Sequence, residues 1–113
     1  MPATVTKTFE FSASHSQDGK VFGHNYVLRC TFLATDASAE AGLTEKIESS
    51  LIHKLHSRDL GESVDFLKNV ALNDLSLLRA FWRVITEATR PSQLHSLRLK
   101  RDRRTEWMLV ASD

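Results

Sequence analysis

The chain has 113 residues, of which 42% are hydrophobic, and this composition is sufficient for one core and excludes a disordered chain. A formal net charge of +1 favours neither nucleic acid nor a membrane surface as a partner. Cys30 is the single cysteine, so no intrachain disulfide can form, and no segment resembles a signal peptide or a membrane span. We therefore predict one domain over residues 1–113, located in the cytoplasm.

The first third of the chain predicts two β-strands. Hydrophobic and polar side chains alternate from Thr4 to His15, and they alternate again in "HNYVLRCTFLATD", which runs from His24 to Asp36. A period of two with β-branched and aromatic residues is typical of half-buried strands. The short loop Gln17-Asp18-Gly19-Lys20 between them indicates that the two strands pair antiparallel.

The middle of the chain predicts two helices, because the hydrophobic period changes to about four. The apolar stripe of the first helix consists of Leu43, Ile47, Leu51 and Leu55. A loop over residues 61–72 follows, with three apolar side chains expected to point inwards: Val64, Phe66 and Leu67. The second helix begins near Asn73, a favourable N-cap, and ends before Arg90-Pro91. Its predicted stripe is Leu75, Leu78, Trp82 and Ile85.

The C-terminal segments "LHSLRLKRD" and "TEWMLVAS" alternate again and are joined by the charged turn "RDRRT", which predicts a hairpin. The element order is then ββααββ. This order is typical of an α+β domain in which two helices cover one face of a four-stranded antiparallel sheet. Trp82 and Trp107 are both expected to face the core, and Cys30 is expected to be a small buried hydrophobe.

His15 and His24 are the residues most suited to chemistry. One lies at the end of the first strand and the other at the start of its antiparallel partner, so their imidazoles could converge on one zinc ion. A plain surface or hydrogen-bonded role for each histidine is the alternative. The basic run from Lys100 to Arg104 indicates a solvated turn, although a guanidinium there could also bind a phosphate.

Three stretches carry a resemblance to a known family: "FEFSASH", "FGHNYVL" and "HKLHSRDLG". Together they resemble the 6-pyruvoyl-tetrahydropterin synthase and 6-carboxy-tetrahydropterin synthase family, whose pattern includes F-x-A-x-H and C-x3-H-G-H-x-[YF]. The resemblance implies a tunnelling fold (T-fold), in which subunits join their sheets into barrels and share their sites. It also implies a three-histidine zinc site, a cysteine base with an Asp-His pair, and a glutamate that anchors the pterin.

The resemblance places His15 and His24 at the first and third zinc ligands, while Phe22 stands at the position of the second. Asp18 stands where the family has its cysteine. Lys100, Arg101 or Asp102 stands where the family has the pterin-anchoring glutamate, and the preferred register places Arg101 there. His56 and Ser57 replace the aspartate and the histidine of the Asp-His pair. Phenylalanine cannot bind a metal, and a guanidinium donates where a carboxylate would accept.

Three hypotheses follow. The first is a divergent or catalytically impaired homologue that acts as a pterin-like ligand-binding or assembly module. The second is an active lyase or synthase, in which His15, His24 and a substitute ligand such as Asp18 hold zinc while His56 acts as acid or base. The third is a non-pterin binder in which Arg101 selects an anionic or phosphorylated molecule. In each case we expect a homo-oligomer, a trimer or hexamer, held by edge-strand pairing. In the first, Phe22 is expected to fill the space left by the metal.

Overall fold

The computed structural model describes residues 3–112 and opens with a long hairpin. Strands β1 (Ala3–Gln17) and β2 (Lys20–Ala34) pair antiparallel along their whole length, from Ala3 opposite Ala34 to Gln17 opposite Lys20. The two residues between them, Asp18 and Gly19, have φ values of +53° and +76°. Positive φ at both central residues defines a turn whose twist matches that of the strands, so this turn sets the register of the hairpin.

The predicted first helix is a continuous helical segment made of α1 (Leu43–Ile47), a π-helical turn (Glu48–Ile52) and α2 (His53–Leu55). The π-helical turn explains the four-residue spacing of the apolar stripe. In a pure α-helix, residues four apart drift by about 40° per step, because each residue turns by about 100°. The wider turn in the middle offsets this drift. Consequently all four stripe residues are at most 1% exposed.

The loop after α2 contains a strand that the sequence did not predict. Strand β3 (Arg58–Asp59) pairs parallel with β1 at Ala13 and Ser14, so the sheet has five strands rather than the predicted four. Two residues are too few to show a period of two. A 3₁₀ turn (Asp65–Leu67) follows; the inward positions predicted there are confirmed, since Val64 and Leu67 are buried and Phe66 is half-buried.

Helix α3 (Asp74–Ala88) begins at the predicted N-cap, because the Asn73 side chain accepts a hydrogen bond of 2.9 Å from the Ser76 N–H. It ends before Arg90-Pro91, also as predicted. The predicted stripe was partly wrong. The buried face is centred on Leu77, Leu78, Phe81 and Ile85, whereas Leu75 and Trp82 lie half-buried at its border.

Strands β4 (Leu94–Lys100) and β5 (Glu106–Val110) form the predicted C-terminal hairpin, and the sheet order is β3-β1-β2-β4-β5. The helices cover one face of this sheet and form a single core with it, so the α+β class is confirmed. Cys30 is fully buried in this core as predicted. Trp107 was wrongly predicted to face the core: it lies on the edge strand β5, where 42% of it is exposed. Among residues 3–112, no helix is long and apolar enough to cross a membrane.

Candidate functional site

The β1–β2 hairpin carries a row of four aromatic rings that runs from the exposed Phe22 to Tyr26 in the hydrophobic core. His15 lies opposite Phe22, and the two ring centroids are 5.6 Å apart with planes 26° from parallel. His15 also stacks on His24 at a centroid distance of 5.4 Å, and His24 forms a T-shaped contact with the buried Tyr26 ring at 5.8 Å. The strand register thus brings together the two histidines that the sequence singled out.

A cleft of about 820 Å³ lies beside this stack. It is lined by His15 of β1, by the N-terminal residues of α3, by Arg101 and Thr105 in the turn of the C-terminal hairpin, and by Trp107 of β5. Trp107, whose side chain is partly exposed, is therefore one wall of this cleft. Its volume is within the range of small-molecule sites, which is about 300–1,000 Å³.

The charged groups in the cleft form one couple. Nη2 of Arg101 lies 3.5 Å from Oδ2 of Asp74, the first residue of α3. The Asp74 side chain is only 14% exposed, and that of Arg101 is 37% exposed. A guanidinium offers only donors and a carboxylate offers only acceptors, so the couple presents both kinds of hydrogen-bonding group to a bound molecule. The net charge of the couple is close to zero.

Burial and neighbouring cations favour the neutral form of His24. Desolvation lowers the pKa of this imidazole most, and the charges of Arg101 and His15 lower it further, whereas Asp74 and Asp102 act in the opposite direction. Burial and the nearby Asp74 carboxylate raise the pKa of Tyr26. Desolvation is thus the main cause of both pKa shifts, and the charges of Arg101 and Asp74 add smaller contributions to each.

The donor set does not fit a catalytic zinc ion, which takes three protein ligands and keeps one open position. Phe22 has no donor atom, and it lies directly opposite His15 in the hairpin. In the part of the chain that the structure describes, no group of three or more His, Cys, Asp or Glu side chains is placed to hold a metal. Asp18, the proposed substitute ligand, occupies the hairpin turn and belongs to no such group.

His56 lies at a different place from the other candidates. Its Nδ1 accepts a hydrogen bond of 3.1 Å from the backbone N–H of Ser12, and Ser57 donates its N–H to the Ser12 carbonyl at 2.6 Å. These bonds attach the end of α2 to the outer edge of β1. His56 does not line the cleft that contains His15 and Arg101.

Phe22 does not occupy a buried space. The ring is 41% exposed and lies against one face of His15, so the prediction that it fills the space of a lost metal is wrong for the chain as described. Asp74 was not among the predicted site residues. Its only sequence signal is its position just after the N-cap Asn73, and that signal indicates a helix start rather than a partner for Arg101, which lies 27 residues later.

Comparison with known proteins agrees at the level of the fold. No protein-family model and no curated protein matches the sequence significantly. Among solved structures, the chain is similar to 6-pyruvoyl tetrahydropterin synthase of Caenorhabditis elegans, with a TM-score of 0.84 over 99% of this chain and 97% of that one, at 18% sequence identity. The resemblance indicated by the motifs is thus confirmed in three dimensions, and the chain has the fold of 6-pyruvoyl tetrahydropterin synthase.

Proposed function

We propose that the protein is a divergent, pterin-synthase-like binding module that holds a planar, uncharged heterocycle in the cleft beside the ring stack. The observation that carries this proposal is the Arg101–Asp74 couple, with its 3.5 Å separation, in a cleft that also contains Trp107. A flat ligand can stack on the exposed indole, while its polar edge meets a carboxylate acceptor and guanidinium donors.

The Asp74 carboxylate favours a pterin-like ring over an anionic ligand. An aminopyrimidinone edge presents two adjacent N–H donors, which a carboxylate can accept together. A phosphate would instead be repelled by the Asp74 carboxylate, which already forms an ion pair with the Arg101 guanidinium. The pairing of Arg101 therefore counts against the third hypothesis, the binder of phosphorylated molecules.

Calorimetry on the purified protein tests the proposal with two pteridines that differ at one position. Pterin carries a 2-amino group next to the N3–H, whereas lumazine carries a carbonyl at that position. We expect wild type to bind pterin at least tenfold more tightly than lumazine, because only pterin offers both donors to Asp74. We expect Asp74→Asn to lose this preference, since its amide offers one acceptor and one donor.

The matched control for that variant is Asp65→Asn, because the Asp65 side chain is 98% exposed and lies outside the cleft. Fluorescence supplies a second readout, since stacking on Trp107 should quench its emission and Trp107→Phe should remove the quenching. If the protein binds inorganic phosphate in preference to pterin, the result would contradict the pterin-like proposal and favour the anionic-ligand hypothesis. Equal binding of both pteridines by wild type would contradict the role of Asp74.

The active-enzyme hypothesis is tested separately by metal content. We expect less than one zinc in ten chains after purification of untagged protein with added zinc, because two imidazoles are too few ligands for tight binding. About one zinc per chain, lost in His24→Ala, would replace the binding-module proposal with that of a zinc-dependent lyase.

We also propose that the chain assembles by edge-to-edge pairing of its sheet, as a trimer or hexamer. Strand β5 is one edge of the sheet. At the other edge, β1 has a described strand neighbour only at Ala13 and Ser14. Three of the six large hydrophobic side chains that are exposed among residues 3–112 lie on β5: Trp107, Met108 and Val110. An uncovered edge strand with apolar side chains is a template for another strand.

A further inference from the structure

A second cleft, of about 530 Å³, lies between α3 and the edge strand β5. Arg79 and Arg83 line it from α3 and are one helical turn apart, with the half-buried Trp82 between them in the sequence. Leu109 of β5 lines the same cleft. The cleft thus combines two cations with an apolar wall, directly beside the open edge of the sheet.

The two arginines have no carboxylate partner in the described part of the chain. None of the ion pairs formed by residues 3–112 includes Arg79 or Arg83. Like charges four residues apart on a helix repel each other, so this arrangement costs stability in the isolated chain. An acidic group from another molecule would remove this cost.

The opposite edge of the sheet carries such a group. Glu40 is the last residue of the 3₁₀ helix Ala37–Glu40. Its Oε2 forms a salt bridge with Nζ of Lys7 of β1 at 3.0 Å. The Glu40 side chain remains 58% exposed. Lys7 is two and four residues from the buried Phe9 and Phe11, and side chains at such spacing lie on the same face of a strand. Lys7 therefore lies on the helix-covered face, which is also the face of the arginine cleft.

The strand register places the arginine cleft and Lys7 on the same row of cross-strand partners, at opposite edges of the sheet. Leu109 lies opposite Leu97, Leu97 opposite Cys30, and Cys30 opposite Lys7, so one row of the sheet connects the arginine cleft with Lys7.

Three antiparallel steps separate β1 from β5, so their directions are opposite. Rotation about the axis of a ring keeps strand directions, and a second copy's β1 therefore meets β5 antiparallel. If β5 and the second copy's β1 pair with a register shift of two residues, the side chains still alternate in step, and the helix-covered faces of the two sheets lie on the same side.

We propose that the arginine cleft is the docking site for a second copy of this chain, whose Glu40 carboxylate enters between Arg79 and Arg83. This inference rests on the edge-to-edge assembly proposed above and names the contact that selects the partner edge. Because the two surfaces differ, the contact is head-to-tail, and repeated rotation closes it into a ring. Trp82 and Leu109 supply the apolar area around the charges.

Charge exchange on the full-length protein tests the docking. We expect Glu40→Arg, and separately the pair Arg79→Glu with Arg83→Glu, to raise the dissociation constant of the oligomer by roughly 10- to 100-fold. We expect the three substitutions together in one chain to restore most of the wild-type affinity. Sedimentation velocity over a range of protein concentrations gives these constants, and circular dichroism of each variant verifies that the monomer is folded.

The matched controls are Glu45→Arg and Arg103→Glu, which change exposed charges outside the cleft and which we expect to leave the dissociation constant within about twofold of wild type. Weakening by the charge reversals without recovery in the triple variant would overturn the Glu40 contact while leaving edge pairing in place, as would an unchanged oligomer in both reversals. A wild type that stays monomeric at all concentrations would overturn the assembly itself.

Discussion

Cys30 shows at the scale of one residue how burial determines chemistry. The thiol lies in the middle of β2 with no exposed surface, and burial raises its pKa to about 12. The thiolate is the reactive form of cysteine, so this residue is a packing group and supplies no replacement for the cysteine base of the pterin synthases.

We therefore expect the folded protein to resist thiol reagents. At pH 8 a pKa of about 12 leaves roughly 10³-fold less thiolate than an ordinary cysteine has. Ellman's reagent should detect no thiol in the native protein and one per chain in denaturant. A Ser49→Cys variant, with its thiol at an exposed helical position, provides the positive control and should react with one equivalent in the native state. Rapid native reaction of Cys30 would contradict the burial.

His24 provides a pH-dependent prediction. Its lowered pKa means that the folded state binds a proton there less readily than the unfolded state, whose pKa is near 6.5. The corresponding stability is complete above pH 6.5 and decreases as the pH falls from there through the lowered value. Denaturant unfolding at pH 7.5 and pH 5.5 should show this loss in wild type and a smaller one in His24→Gln.

An NMR titration of the His24 imidazole separates the causes. We expect Arg101→Ala to raise its pKa, because a nearby positive charge is removed, and Asp74→Asn to lower it, because a negative charge is removed. An imidazole that titrates at the same pH in the folded and the unfolded protein would contradict the electrostatic link between the ring stack and the cleft.

Individual site residues were predictable only where sequence neighbours determine their positions. His15, Phe22 and His24 lie on one short hairpin, so their convergence follows from strand alternation and a two-residue turn. The Arg101–Asp74 couple joins two elements that are distant in the chain, and only packing of α3 on the sheet creates it. The exposure of Trp107 depends on β5 being an edge strand, which a period of two does not reveal.

At the scale of the elements, the segment from Leu43 to Leu55 illustrates how spacing selects helix geometry. An apolar spacing of four residues is intermediate between the number of residues per turn of an α-helix and that of a π-helix. The segment accordingly consists of a π-helical turn between two α-helical segments. The sequence predicted a helix here correctly. The π-helical turn could also have been inferred from the spacing, because an ideal α-helix would rotate the last leucine away from the core.

Leu51 in the π-helical turn is fully buried, so its truncation should be costly. We expect Leu51→Ala to lower the free energy of unfolding by about 2–5 kcal/mol, because it removes buried area and leaves a cavity. Urea unfolding measures this loss. The exposed Glu45→Ala in the preceding α1 should change the free energy by no more than about 0.5 kcal/mol. A small loss for Leu51→Ala would indicate that the turn is not packed as described.

The short β3 and the loop around it depend on contacts that carry no periodic pattern. The Asp59 side chain accepts hydrogen bonds from the backbone N–H groups of Gly61 and Glu62, and Leu60 donates its N–H to the Ser14 carbonyl. These bonds hold the loop against the edge of β1. The Asp59 bonds are local matches between side chain and backbone, whereas the Leu60 bond joins residues distant in the sequence, and neither kind leaves a periodic pattern.

At the scale of the whole molecule, the fold class was predictable, whereas the residues exposed at the edges of the sheet were not. The change of hydrophobic period along the chain gave the ββααββ order, which the structure confirms with one additional short strand. The 51 Å long axis corresponds to the 15-residue strands β1 and β2, which extend beyond the helical layer. Which edges remain uncovered, and which charges lie beside them, emerges only from the complete sheet.

We expect thermal stability to depend on protein concentration if the open edges pair. Assembly that accompanies the folded state stabilises it by mass action, so the unfolding midpoint should rise by several degrees over a roughly hundredfold increase in concentration. Differential scanning fluorimetry at several concentrations measures this shift. The same series on Arg79→Glu with Arg83→Glu should show a flatter dependence. A midpoint that is constant in wild type would indicate a monomer.

The turn at Asp18 and Gly19 also bears on the order of folding. It closes a two-residue loop, so the β1–β2 hairpin can zip from the tip outwards using contacts that are close in the sequence, which is the fast class of folding event. Phe22, His15 and His24 all lie within a few residues of this turn, so their approach requires no contact with the later elements of the chain. The opposite wall, with Asp74, Arg101 and Trp107, is complete only after the last hairpin has docked. The cleft therefore requires the whole chain, and ligand binding during refolding would report completion of the final strand.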